Sequence, residues 1–149
     1  MSEQPEPVLH FRGRWPPPAG PRVALVALGA RRPTPYGEAV AERLASDLAG
    51  AGVIVISGLA RGIDAAAHRG TLAAGGVTVA VLGTGVDIVY LAENARLAAE
   101  LLERGGALVS EFADGTPRPP RATSRDATGR WPRSPTWWSW SRPGRAAAR

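Results

Sequence analysis

The chain has 149 residues, room for one domain of ordinary size and too little for two. All 18 of its Lys+Arg residues are arginine and it has no cysteine, which excludes a P-loop or Schiff-base lysine, disulfides, thiolate metal sites and cysteine nucleophiles. The net charge of +5 is uneven: residues 1–115 hold 10 Arg against 12 acids, whereas residues 116–149 hold 8 Arg against the single acid Asp126.

Residues 1–21 are proline-rich and read as an extended arm with a short strand at 8–11. The apolar run 23–28 is short enough for a strand buried on both faces. It ends at Gly29, and the prolines of the following loop, Pro33 and Pro35, are expected to lie outside any helix. Residues 37–51 then place Val40, Leu44 and Leu48 every four positions, which predicts an amphipathic helix resting on those three side chains. The alternation continues with a strand at 53–56, a helix at 63–74, a strand at 77–82, a helix at 93–104 and a strand at 107–110. Glycine or Ser-Gly stands at the strand exits, as Gly29, Ser57-Gly58 and Gly83-Thr84-Gly85. Strand and helix alternating in this way predict a parallel sheet with helices on both faces, a Rossmann-like doubly wound α/β domain over residues 22–115.

In such a sheet a ligand lies beyond the carboxyl ends of the strands, where backbone N–H groups and helix dipoles favour phosphate. The expected phosphate-binding residues are therefore Gly29, Ala30, Arg31, Arg32, Ser57, Gly58, Arg61, Gly62, Gly83, Thr84 and Gly85. Arg31, at a strand-to-helix exit, is the central one, since a guanidinium grips phosphate through paired hydrogen bonds. Dinucleotide chemistry does not fit, because the first strand is not followed by GxGxxG and no acid ends the second to hold a ribose. Asp64 either touches a ligand or serves as a favourable acid in the first turn of its helix. His68, with no partner acid in view, is expected to pack or hydrogen-bond structurally. Arg61 and Arg69 fit solvated surface and phosphate contact equally well. Asp87, Tyr90 and Asn94 either shape the loop after the third strand or line the pocket. Two histidines, His10 and His68, are too few for a metal cluster, so no cofactor is expected. No apolar stretch approaches a membrane span, and the acidic start lacks a signal-peptide character, so the expected location is cytoplasmic with no membrane partner.

Together, Gly29-Ala30-Arg31-Arg32-Pro33-Thr34-Pro35-Tyr36-Gly37 and Ser57-Gly58-Leu59-Ala60-Arg61-Gly62-Ile63-Asp64-Ala65-Ala66-Ala67-His68 resemble the DprA/Smf family of DNA-processing proteins. Ala80-Val81-Leu82-Gly83-Thr84-Gly85-Val86-Asp87-Ile88-Val89-Tyr90 and Gly106-Ala107-Leu108-Val109-Ser110-Glu111 follow in the family's order, so the resemblance covers roughly residues 7–115. It implies a protein that binds single-stranded DNA and loads the RecA recombinase onto it in natural transformation, not an enzyme, with a homodimer in the intact family. In the family's Gly-Ser-Arg motif the arginine binds phosphate; here that position is Arg31, and Ala30 replaces the serine. Leu91 and Ala92 stand where the family usually has prolines. The helical domain that precedes, and the winged helix that follows, in many members have no counterpart in this sequence. The alternative on a related scaffold is a nucleoside-monophosphate phosphoribohydrolase, but Gly83-Thr84-Gly85-Val86-Asp87 lacks that family's catalytic glutamate.

Residues 116–149 do not resemble the family. They hold no Leu, Ile, Val, Met or Phe but four of the five tryptophans, and read as a disordered basic tail. A displaced frame, joining the third base of each codon to the first two of the next, permits HFPRRNR from Ala122 onward. After one free residue it permits VAALADVVVVVEAG. Those strings match the family's missing block, helix and strand in order, and tryptophan's single codon constrains them. The expectation is a frame displacement near residues 116–121, a truncated sheet and impaired binding, an inactive fragment being the extreme case. The other reading is a genuine Arg/Trp tail that stacks on bases.

Overall fold

The computed structural model describes residues 8–15, 17, 19–24, 32–89 and 92–117. Among these residues five strands and three helices occur in chain order: β1 (His10–Gly13), β2 (Arg22–Ala24), α1 (Pro35–Gly50), β3 (Ile54–Ser57), α2 (Ile63–Ala73), β4 (Thr78–Leu82), α3 (Ala95–Glu103) and β5 (Ala107–Ser110). A single 3-10 turn, Ala92–Asn94, leads into α3. The strands form one sheet in the order β1-β5-β4-β3-β2. β2 to β5 are parallel, and β1 runs antiparallel to β5 with Phe11 opposite Val109 and Gly13 opposite Ala107. This is the expected Rossmann-like α/β architecture.

The strand order refines the doubly wound expectation. From β2 to β5 each strand lies beside the previous one, and right-handed crossovers between successive neighbours all fall on one side. Helices on both faces require the order to reverse, and the described strands contain no reversal. All three helices accordingly pack on one face. Ala45 of α1 and Ala67 of α2 meet Val55, while Leu72 of α2 and Leu97, Ala98 and Leu101 of α3 meet Ala80, Leu82 and Leu108. On the opposite face Ile54, Ile56, Val79, Ala107 and Val109 cluster with Leu9 and Trp15 from the N-terminal arm.

Three local expectations need correction. The first strand lies two residues later than 8–11, because its pairing with β5 is set by Gly13. That residue has φ +100°, and a Cβ there would stand 2.5 Å from the Gly106 carbonyl oxygen. Pro35 is helical after all: it occupies the first turn of α1, where its missing N–H is not needed, and the Thr34 hydroxyl accepts from the Gly37 N–H at 3.1 Å.

The third correction is the buried stripe of α1, which is Ala41, Ala45 and Ala49. Val40 and Leu44 are exposed, with only Leu48 partly packed. The cause is the closeness of α2: a Cβ on Gly70 would lie 2.1 Å from the Glu42 carbonyl oxygen. A helix pair this close accepts alanine between its axes and excludes valine and leucine. Residues 25–28 of the second expected strand lie outside the described residues.

His68 anchors α2 to the sheet. It is fully buried, with Nδ1 2.7 Å from Thr78 Oγ1, and the Thr78 hydroxyl in turn donates to the Val55 carbonyl at 2.8 Å. Because the Thr78 proton is committed, the ring proton belongs on Nδ1, and Nε2 is left buried without a partner. Burial pushes the imidazole pKa down to about 3. The structural role expected for His68 is the one it has.

Candidate functional site

The carboxyl ends of β3 and β4 open into two loops that the chain braces from inside. After β3, Leu59 takes φ 57°, a left-handed conformation that a side chain rarely adopts, and Gly62 takes φ 79°. Leu59 is held there at both ends: its side chain is buried in the core and its carbonyl accepts from the Asn94 amide at 2.9 Å. Asp64, only 8% exposed, accepts from the Ser57 hydroxyl at 2.9 Å and from the Ala60 N–H at 3.3 Å. A Cβ on Gly58 would meet the same carboxylate at 2.8 Å. Asp64 is therefore a brace beneath the loop.

The loop after β4 is tied to the turn that follows β5. The Thr84 hydroxyl donates to the Ile88 carbonyl at 2.8 Å, and the Ser110 hydroxyl donates to the Thr84 carbonyl at 2.6 Å. The Gly85 N–H donates to the Thr116 carbonyl at 3.0 Å, while the Asp87 carboxylate accepts from the Gly115 N–H at 2.9 Å. Gly85 allows this approach, since a Cβ would lie 2.6 Å from the Ala113 carbonyl oxygen.

These bonds sort the expected phosphate-binding residues. Ser57 and Thr84 are buried with their hydroxyls engaged, and the Gly85 N–H is already bonded. Arg32, Arg61 and Gly83 are exposed, and Gly58 and Gly62 are partly so. Gly29, Ala30, Arg31 and Tyr90 lie outside the described residues. The first turn of α2 adds backbone N–H groups that helix geometry leaves without intrahelical partners.

Arg61 reaches across to the neighbouring loop, its Nε 2.6 Å from Glu93 Oε1, and both side chains are more than half exposed. Such a pair is weak in water, and the contact leaves the Nη groups of Arg61 open to a second acceptor. Arg69 sits instead on the α1–α2 surface, 3.8 Å from Glu42. Sequence reasoning missed Glu93 as the partner of Arg61; an acid two residues ahead of α3 carries no local signal of a contact 32 residues back. Asn94 and Asp87 resolve as loop-shaping residues.

The architecture is that of a Rossmann-like domain in which the exit of β3 carries an exposed arginine, Arg61, and leads into the N-terminus of α2. Residues 1–125 match the model of the family described as DNA recombination-mediator protein A, and the chain belongs to that family. The chain is 50% identical to Protein Smf of Escherichia coli (strain K12) over 88 residues, covering 59% of this chain and 24% of that one. It is 48% identical to a putative DNA processing protein DprA of Mycobacterium tuberculosis over 101 residues, covering 68% and 25%.

Two solved structures are similar. The DNA processing protein A of Streptococcus pneumoniae gives a TM-score of 0.61 at 34% identity, covering 76% of this chain and 39% of that one. The protein from Helicobacter pylori, whose structure was described for its single-stranded DNA binding mode, gives 0.63 at 28% identity, covering 74% and 49%. The chain thus spans about a quarter of the length of the two curated relatives. Among the described residues no helix is long and apolar enough to cross a membrane, and no cluster of His, Asp and Glu could hold a metal ion.

Proposed function

We propose that this chain binds single-stranded DNA at the carboxyl ends of its parallel strands and helps load the RecA recombinase onto it during natural transformation, without making or breaking covalent bonds. The observation that carries the reading is the match to the recombination-mediator family over residues 1–125. The braced exits support it physically: backbone N–H groups at fixed positions and arginines grip phosphates without reading bases. Arg31 is the central residue, with Arg32, Arg61 and the exposed glycines beside it.

In this reading residues 1–21 form a leader, 22–115 the DNA-binding domain and 116–149 an appended basic segment. The site of action is the cytoplasm, and the intact family member works as a homodimer. The test is fluorescence anisotropy with labelled oligonucleotides at graded salt. Arg31→Ala weakens binding to every sequence alike and lowers the log–log salt slope by about 0.7 for each phosphate that is no longer neutralised. Unchanged affinity and slope in that variant remove Arg31 from the site.

A further inference from the structure

Between Glu6 and Glu38 the chain has no acidic residue, but it has five arginines: Arg12, Arg14, Arg22, Arg31 and Arg32. Arg12 lies on β1, at one edge of the sheet, and Arg14 follows directly after that strand. Both are exposed, and neither enters an ion pair among the described residues.

The same strand carries Phe11, 50% exposed. Its ring stacks on Trp15 with centroids 6.3 Å apart and planes at 29°. Trp15 in turn packs against the core cluster of Ile54, Ile56, Val79, Ala107 and Val109. The aromatic pair is thus fixed on the protein side while Phe11 stays accessible. Gly13 sets the bend between the two arginines, and the Arg14 N–H, bonded to the Gly106 carbonyl at 3.1 Å, holds the chain there.

An exposed aromatic on an edge strand is a liability unless something uses it. The rigid ring lies on the helix-free face of the edge strand, with Arg12 on the strand's other face and Arg14 beyond the Gly13 bend. With neither guanidinium in an ion pair among the described residues, this arrangement fits a nucleic-acid single strand running along the edge itself, whose bases stack on aromatic faces while its phosphates meet arginine. β1 also begins in the right place. His10 pairs with Ser110, at the carboxyl end of β5, which is the end of the sheet where the braced exits lie.

We propose that the β1 edge is a second contact zone for single-stranded DNA. A base stacks on Phe11 backed by Trp15, Arg12 and Arg14 hold neighbouring phosphates, and the path continues from the strand exits down the sheet edge. The inference rests on the single-stranded DNA reading given above.

The test is anisotropy of the full chain with labelled oligothymidylates from about 4 to about 20 nucleotides. Phe11→Ala, and Arg12→Ala with Arg14→Ala, weaken binding of the longest oligonucleotides by roughly fivefold to a hundredfold. They leave the shortest, held by the exits alone, at wild-type affinity, and Phe11→Tyr binds as wild type. Crosslinking of 4-thiothymidine oligonucleotides to the unmodified chain labels the peptide spanning residues 10–15, whatever the stability of the variants. Wild-type affinity of the variants for long oligonucleotides, or label confined to other peptides, overturns the edge proposal alone. So does loss of self-association in Phe11→Ala with DNA binding intact, which would make the edge a protein contact. Absence of binding by the unmodified chain at every length sinks the underlying reading as well.

Discussion

Acidification singles out His68. Its imidazole is fully buried, bonded through Nδ1 to Thr78, and held neutral down to about pH 3 by desolvation, whereas in the unfolded chain it titrates near 6.5. Above the unfolded value both states are neutral and the site contributes no pH dependence. Between about 6.5 and about 3 the unfolded chain binds a proton that the folded one cannot, so stability falls as pH falls. Each pH unit in that window is equivalent to about 1.4 kcal/mol, so lowering the pH from about 7.5 to about 5 removes roughly 2 kcal/mol through this one group. Urea unfolding followed by circular dichroism at the two pH values measures it. His68→Gln keeps a neutral amide beside Thr78; it lowers overall stability but removes that roughly 2 kcal/mol of pH dependence. If the variant loses as much stability on acidification as the wild-type chain, His68 is not buried and neutral as described.

Other outcomes follow from the same contacts. Gly70→Ala drives a methyl group into the Glu42 carbonyl and forces α1 and α2 apart, which costs about 1–3 kcal/mol in thermal or urea unfolding. Asp64→Ala strips the Ser57 hydroxyl and the Ala60 N–H of their acceptor, which costs about 1–3 kcal/mol and speeds amide exchange in residues 58–62. Glu93→Gln releases Arg61 and tightens single-stranded DNA binding severalfold at low salt, an advantage that fades as salt rises. Sequencing the gene through codons 112–125 finds an inserted or deleted base. An unbroken frame, with no recognisable alternative reading downstream, makes residues 116–149 a genuine basic tail.

Much of the scaffold is legible in short patterns. Val-Ile-Val-Ile before Ser57 and Val-Thr-Val-Ala-Val-Leu before Gly83 are too brief for helices and too apolar for loops, and both form central strands. The face of α1 is not legible in this way. Val40, Leu44 and Leu48 have the same spacing as Ala41, Ala45 and Ala49, and hydrophobicity alone picks the first set. The distance to α2 decides for the second, and it is set by Gly70, a residue on another element.

The site divides in the same way. Glycine and serine at strand exits mark where a loop turns, so the location is readable from residue types. Which donors remain free depends on partners far along the chain, such as Thr116 for the Gly85 N–H and Glu93 for Arg61. The winding of the sheet also depends on where the next strand docks, which alternation along the chain does not specify.

The central claim is that the strand exits hold the phosphates of a single strand. Its most direct measurement is a titration of the isotopically labelled chain with an oligothymidylate, following backbone amide resonances. The account predicts that shifts concentrate in residues 29–32 and 58–63 and at Gly83, joined by residues 10–14 when the oligothymidylate is long enough to reach the β1 edge, while the amide of Gly85 stays in place. Shifts spread evenly over the surface, or none in those loops at saturating oligonucleotide, would contradict it.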